Sequence, residues 1–144
     1  MLKAFKVLKA SVTVNEQLVS SINSGLCLLV GLSVDDSDED IQWMANKLVK
    51  LRLFDGGACV ADNRLEILSV SQFTLHASLK GNSLDYRKAM KSSDARDAYQ
   101  HFLNTLSHLH HPDLIKDGRF GEMMRVNIEN DGPFTINLDS KIRK

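Results

Sequence analysis

Residues 26 to 32 read Leu-Cys-Leu-Leu-Val-Gly-Leu, a near-continuous apolar run of strand length. A run without polar alternation predicts a strand buried on both faces, and such a strand needs partners at its edges and apolar cover above and below. The flanking sequence supplies both. Ala4 to Leu8, Ser11 to Val14 and Gln17 to Ile22 are short β-branched-rich segments, broken at Lys9-Ala10 and Asn15-Glu16. They predict a bulged or twisted strand that begins almost at Met1, followed by a hairpin. Downstream, Ser37 and Asp40 have capping-box spacing, with Asp in place of the usual Glu. Ile41, Met44, Ala45, Leu48 and Leu51 then recur at helical spacing, predicting a helix from Asp38 to about Leu53 with Trp43 buried against the sheet edge.

Further along, Leu65 to Val70 reads as a strand that runs directly into Ser71-Gln72-Phe73-Thr74-Leu75. His76 to Ser83 predicts a surface loop, and Leu84 to Met90 a short helix. A second long helix is capped by Asp94, carries Ala95, Phe102, Leu103, Leu106 and Leu109 on one stripe, and ends before Pro112. Leu114-Ile115 starts another strand and Asp117 to Gly121 forms a loop. The last two strand-like runs, Met124 to Ile128 and Phe134 to Leu138, flank Asn130-Asp131-Gly132-Pro133, which holds the only Gly-Pro pair in the chain. Proline fixes φ and removes a donor while glycine opens conformations closed to other residues, so the pair makes a rigid corner. With 144 residues and 43% hydrophobic content, all of this fits a single domain, 1–144, of mixed α/β class.

Eighteen bases and eighteen acids give a formal net charge of zero, which argues against a dedicated binder of duplex nucleic acid. Five of the acids lie between Asp35 and Asp40, at the expected helix start where the dipole favours carboxylates. The rest of the chain is therefore basic on balance, with candidate clusters at Lys3, Lys6 and Lys9, at Lys80, Arg87, Lys88 and Lys91, and at Lys141, Arg143 and Lys144. Cys27 and Cys59 have no CxxC spacing, so neither a disulfide framework nor a zinc site is expected. No run approaches the roughly 18 apolar residues of a membrane span, and a soluble, cytoplasmic protein is expected.

No carboxylate pair, nucleophile elbow or metal set stands out, so a conventional side-chain mechanism has little support. His108, His110 and His111 sit at a helix end without a carboxylate or thiol at a recognised interval, and neither a metal nor a cofactor is expected. Ser71, Gln72 and Thr74 bring hydroxyls and an amide together, and backbone donors at a strand end could serve as an oxyanion hole. Composition alone favours plainer readings: Thr74 as a β-branched strand residue, Gln72 as a surface amide, and Asp131-Gly132-Pro133 as an ordinary turn with a trans proline.

Taken in order, Ser71-Gln72-Phe73-Thr74-Leu75, Gly118-Arg119-Phe120-Gly121 and Asn130-Asp131-Gly132-Pro133-Phe134-Thr135 resemble three motifs of the D-aminoacyl-tRNA deacylase family. The similarity extends over Ala10 to Val14, the Gly25 to Gly31 strand and the Trp43 helix. It implies a homodimer with a strongly bent mixed, largely antiparallel sheet, packed helices and active sites at the subunit interface. Ser71, Gln72, Phe73 and Thr74 would form the catalytic pocket for the terminal adenosine and the aminoacyl ester of aminoacyl-tRNA. Phe120 and Met124 would line its wall, with Asn130, Gly132, Pro133 and Thr135 binding substrate from the partner. In the family the Gly-Pro bond is cis, its carbonyls hold the α-amino group, and the corner leaves no space for an L side chain. Glycyl-tRNA would then also be a substrate, and hydrolysis is attributed to the substrate 2′-hydroxyl and backbone amides. The chain departs from the family at Lys6 and Lys9, where arginines are common, and at Lys80-Gly81-Asn82-Ser83-Leu84, where an Arg-Pro stretch is frequent. Two rivals remain: a nucleic-acid-binding or assembly module on the same fold, and a related deacylase with a trans Gly-Pro bond that cleaves L-alanyl-tRNA.

Overall fold

A computed structural model describes residues 1–143. Eight strands and two α-helices follow in the order β1 (Leu2–Val14), β2 (Gln17–Ile22), β3 (Gly25–Val30), α1 (Asp38–Lys50), β4 (Glu66–Ser71), β5 (Ser78–Lys80), β6 (Ser83–Asp85), α2 (Ser92–Leu109), β7 (Ile115–Asp117) and β8 (Arg125–Leu138). Six strands form one mixed sheet. β1 pairs antiparallel with β2, β3 and β8, whereas β3, β4 and β7 run parallel. The apolar run is central as expected: β3 lies between β1 and β4, and five of its six residues are buried.

β1 sets the shape. Leu2 and Ala4 face a core built with α1 and α2, while Val7, Ala10 and Val12 face a second core on the other side of the sheet. Strict alternation would put Val7 and Ala10 on opposite faces, so one extra residue is needed between them. It is found where Val7 pairs with Asn130 but Lys9 already pairs with Glu129, and Leu8 and Lys9 at this bulge are both exposed. The break read from Lys9-Ala10 is therefore a bulge within one continuous strand. The helix-side core gathers Leu26, Leu28, Val30 and Ile67 from the sheet, Met44 and Leu48 from α1, and Phe102 and Leu106 from α2. Among the described residues the second core draws on no helix and is closed by Val19 and Ile22 of β2 and Val126 and Ile128 of β8.

Several boundaries differ from expectation. α1 stops at Lys50, because Leu51 turns to an extended conformation. Its capping box is present, with Ser37 and Asp40 satisfying each other's ends of the first turn. α2 begins at Ser92 after an N-cap at Lys91, so Asp94 sits inside the first turn, where it favours the dipole without capping it. The segment from Leu84 to Met90 is not a helix. Leu79 and Leu84 pair across a small β5–β6 hairpin, whose turn uses Gly81 at a φ of 62°, so cross-strand pairing replaces both the expected loop and the expected helix. The final two strands are one: residues 125–130 and 135–138 pair in the same direction with β1, and the Gly-Pro corner interrupts β8 instead of reversing it.

The acidic run is engaged by the C-terminal segment. Asp40 is 7% exposed, and its carboxylate lies 2.8 Å from Lys141 Nζ and 3.4 Å from Arg143 Nη2. Burial alone would raise its pKa, but hydrogen bonds from Lys141 and from the backbone and hydroxyl of Ser37 hold it well below the usual carboxylate range. The folded pKa lies below the unfolded one, so the stabilisation is present above the ordinary carboxylate pKa and lost as pH falls through the depressed value. Asp40→Asn should cost about 1–2 kcal/mol at pH 7, since the partners are partly solvated. Urea unfolding at pH 7 and pH 3 should show the gap from wild type shrinking in acid.

Candidate active site

The parallel strands β3 and β4 end level with each other, Val30 paired with Ser71, and the chain then turns sharply. Gln72 N–H donates to the Val30 carbonyl at 2.7 Å, and Phe73–His76 form one turn of 3₁₀ helix across the strand ends. Gly31 makes this possible. A Cβ there would stand 2.8 Å from Leu75 Cβ and 3.1 Å from the Gln72 carbonyl oxygen, so only glycine lets the turn lie against the end of β3. His76 fastens the far end, its Nε2 lying 3.1 Å from the Gly31 carbonyl.

Within this turn the Gln72 amide donates to Thr74 Oγ1 at 2.9 Å. Thr74 is thus oriented by an amide, which is no base, and the one nearby imidazole, His76, is bonded to a carbonyl. The first amides of a helical turn lack intrahelical partners. Leu75 N–H and Ala77 N–H bond back to Gln72 and Thr74, whereas those of Phe73 and Thr74 have no acceptor among the described residues. The turn presents two adjacent free N–H donors, a hydroxyl and an amide at the carboxyl end of parallel strands, the usual place for a ligand on such a sheet.

Phe120 and Met124 follow β7 at the same end, where Gly118 N–H donates to the Ser69 carbonyl at 3.3 Å. They diverge from there. Phe120 packs on the helix side, its ring 5.7 Å from that of Tyr99 and beneath the Arg96 guanidinium at 4.9 Å, while Met124 joins the second core near Val70. Behind Phe120, the buried Tyr99 hydroxyl donates to Asp117 Oδ1 at 2.8 Å and lies 2.9 Å from Ser69 Oγ. Burial raises the Asp117 pKa against the opposing hydrogen bonds from Tyr99 and Gly118, and burial likewise pushes Tyr99 well above the usual phenol value.

The second motif lies elsewhere on the chain. Val7 pairs with Asn130 and Phe5 with Thr135, so four residues, Asp131 to Phe134, stand opposite Lys6 alone and are extruded. The Gly132–Pro133 peptide bond is cis, Gly132 has a φ of 122°, and Gly132, Pro133 and Phe134 are exposed. Asn130 closes the base of this loop: its amide donates to Thr135 Oγ1 at 2.9 Å and its Oδ1 accepts from Phe134 N–H at 3.3 Å. Lys6 supports the loop from below. Its Nζ is 3.6 Å from Asp131 Oδ2 and 5.3 and 5.7 Å from the Phe134 and Phe54 rings, with the side chain only 14% exposed. A lysine reaches the corner as a point charge, and no arginine-type fork is involved.

Ser71 is level with Leu2 of β1 through Val30, but the corner is level with Lys6 and sits on β8, three strands away. At about 3.3 Å per residue and about 4.8 Å per strand, the two motifs are offset by about 13 Å along the sheet and about 14 Å across it. In one copy they do not meet. Sequence reasoning missed Gly31, Phe54, Arg96 and Tyr99 as supports. Gly31, breaking an otherwise apolar run, was the one visible signal. Of the histidines near the end of α2, His110 Nε2 reaches across to the Leu65 carbonyl at 2.7 Å and His111 Nδ1 accepts from the nearby Asp113 N–H at 3.2 Å.

Residues 4–139 match the family model described as D-Tyr-tRNA(Tyr) deacylase, a match that makes the chain a hydrolase of the deacylase type. The chain belongs to the D-Tyr-tRNA(Tyr) deacylase family. It is 47% identical over 141 residues to D-aminoacyl-tRNA deacylase 1 of Danio rerio, covering 94% of this chain and 68% of that one. With the D-aminoacyl-tRNA deacylase of Drosophila melanogaster it shares 46% identity over 144 residues, covering 96% and 91%. A solved structure named c-Myc DNA Unwinding Element Binding Protein superposes with a TM-score of 0.91 at 42% identity, covering 96% of this chain and 97% of that one. A probable eukaryotic D-amino acid tRNA deacylase shares the fold, with a TM-score of 0.79 at 16% identity over 94% and 96% of the chains.

Gly31→Ala should displace the Phe73–His76 turn through the 2.8 Å contact with Leu75, at a cost of about 1–3 kcal/mol for overpacking. Deacylation assays and thermal unfolding measured together should show activity falling further than stability does.

Proposed function

We propose that this protein hydrolyses the ester bond of D-aminoacyl-tRNA, and of glycyl-tRNA, releasing free amino acid and tRNA. The observation that carries the reading is the pair of unpartnered amides, Phe73 and Thr74, in a turn whose one hydroxyl is bonded by the Gln72 amide and by no base. Two such donors suit the oxyanion that forms when an ester carbonyl is attacked, and aimed in advance they stabilise it at little reorganisation cost. The attacking group is then a water oriented from the substrate side by the ribose 2′-hydroxyl; it adds to the ester carbonyl, the carbonyl–ribose oxygen bond breaks, and the ribose hydroxyl leaves with the proton the water gives up. Ser71 and Gln72 hold the terminal adenosine, and Phe120 and Met124 bound the pocket.

Chirality is judged by the Gly132–Pro133 corner of a second copy. Its exposure on a clamped loop, far from the turn of its own chain, supports insertion into a partner's site within a homodimer. Carbonyls fixed at the corner accept from the α-amino group, Asn130 and Thr135 keep the loop in shape, and an L side chain would collide where a D side chain or a glycine hydrogen does not. Among the described residues no helix is long and apolar enough to cross a membrane, and a cytoplasmic site of action fits the tRNA substrate.

The decisive assay compares D- and L-aminoacyl-tRNA carrying the same amino acid: cleavage of the D ester and glycyl ester, but not the L ester, is expected. Cleavage of L-alanyl-tRNA would instead favour the relaxed deacylase. Thr74→Ala should keep substantial activity, because its hydroxyl is oriented by Gln72 and has no base; a trapped aminoacyl-Thr74 ester would contradict the mechanism. Insertion between subunits can be read separately. A heterodimer joining a turn variant to a corner variant should regain one intact site, whereas motifs acting within one chain would leave both sites defective. The name of the 42%-identical solved structure favours one other reading, a nucleic-acid-binding module without hydrolysis. That reading predicts tRNA binding with no ester cleavage at all.

A further inference from the structure

The catalytic turn continues into a surface that the hydrolytic reading does not use. Phe73 is 57% exposed and packs its ring 5.1 Å from that of Tyr86 at an interplanar angle of 57°; Tyr86 is itself 41% exposed. The two residues are brought together by the β5–β6 hairpin, which leaves the turn at Ser78 and returns at Asp85. Lys80 lies on the β5 strand of that hairpin and Lys88 and Lys91 follow Tyr86 by two and five residues, all exposed. None of these three lysines pairs with a carboxylate among the described residues. The local acid, Asp85, is already neutralised, its carboxylate taking Arg87 Nε at 2.7 Å and Arg87 N–H at 2.9 Å.

Large aromatic faces left open to water beside unpaired bases are the two parts of a single-stranded nucleic-acid platform: rings on which bases stack, and cations that follow the phosphates. An acidic or purely apolar partner would not account for both. We propose that the Phe73–Tyr86 pair stacks an unpaired base of the acceptor end, upstream of the terminal adenosine, while Lys80 and Lys88 contact its phosphates. This rests on the tRNA-ester reading above and names a further binding surface for the same substrate. It also explains how a chain of zero net charge holds a polyanion, since counterion release needs only local bases. Because Phe73 begins the catalytic turn, a base stacked on this pair fixes the distance at which the ester meets the Phe73 and Thr74 amides.

The test compares D-aminoacyl-tRNA with the minimal D-aminoacyl-adenosine ester, and uses fluorescence anisotropy of a labelled short RNA ending in CCA. Base stacking on an aromatic side chain is worth about 1–3 kcal/mol, so Tyr86→Ala should lower the tRNA-to-adenosine ratio of kcat/KM by about tenfold, mainly through KM, and weaken the RNA similarly. Tyr86→Phe should restore both. Lys80→Ala with Lys88→Ala should flatten the slope of log affinity against log salt by about 1 to 2, with D-over-L selectivity retained, because phosphate contacts position the substrate without judging it. Equal loss on both esters in Tyr86→Ala, or unchanged RNA affinity, would overturn the platform. So would a change in sedimentation without a change in anisotropy, which would make this face a contact between copies. Failure of the wild type to cleave any aminoacyl ester while still binding the RNA through Tyr86 would sink the functional reading and leave the platform standing.

Discussion

The backbone of Leu2–Val14 is hydrogen-bonded on both edges, to β8 along almost its whole length on one side and to β3 and then β2 on the other. Buried backbone donors and acceptors must be paired, and a strand flanked this way cannot shift register without breaking three ladders at once. That rigidity permits two departures from regularity. The one-residue bulge at Leu8-Lys9 turns Val7, Ala10 and Val12 to the same face and so makes the second core possible. The three-residue excess on β8 opposite Lys6 leaves the chain nowhere to go but outward, which makes the corner. Bend and corner are both consequences of mismatched residue counts against one fixed strand.

Perturbed ionisable groups often mark catalytic sites, but here they mark structural ones. Asp40 is depressed inside a clasp between α1 and the C-terminal segment, Asp117 and Tyr99 are raised by burial behind the Phe120 wall, and burial pushes the Cys27 thiol up to about 12, which leaves it inert. The turn with the free amides holds none of these groups. Backbone N–H donors have no protonation state to tune; what holds them in place is a rigid support. Gly31, His76 and the ends of β3 and β4 provide one.

Much of the fold was legible because its determinants are local. The buried run of β3, the capping box at Ser37 and the stripe of α2 each announce themselves within a few residues. What was hidden depended on pairing. Leu79 and Leu84 form a hairpin only because they face each other, and Leu84 to Met90 taken alone has a helical pattern. The corner looked like a junction between two strands because the shared partner β1 lies more than a hundred residues earlier. The turn at Ser71 to Leu75 and the Gly-Pro corner are continuous in sequence and could be picked out as stretches, but the support from Lys6 could not: its contacts with Asp131, Phe134 and Phe54 join three distant segments.

Charge balance has a spatial consequence that the net value of zero conceals. The segment after β3 lies beside the lysines of the hairpin region, Val34 N–H donating to the Lys88 carbonyl at 3.0 Å, and Asp35 and Asp36 come directly after it. Uncompensated carboxylates there would reduce the field of Lys88 within a Debye length of about 8–10 Å. Instead Asp36 accepts from Ser33 N–H at 2.8 Å and lies 3.6 Å from Lys141 Nζ, and Lys141 also reaches the Asp35 carbonyl at 3.0 Å and the Asp40 carboxylate. Lys141 and Arg143 thus offset Asp36 and Asp40, while the Asp35 carboxylate is held by the Ser33 hydroxyl. A clasp that looks purely structural therefore also weakens the negative field reaching Lys88, so the latch on α1 and the charge beside the β5–β6 hairpin are physically linked.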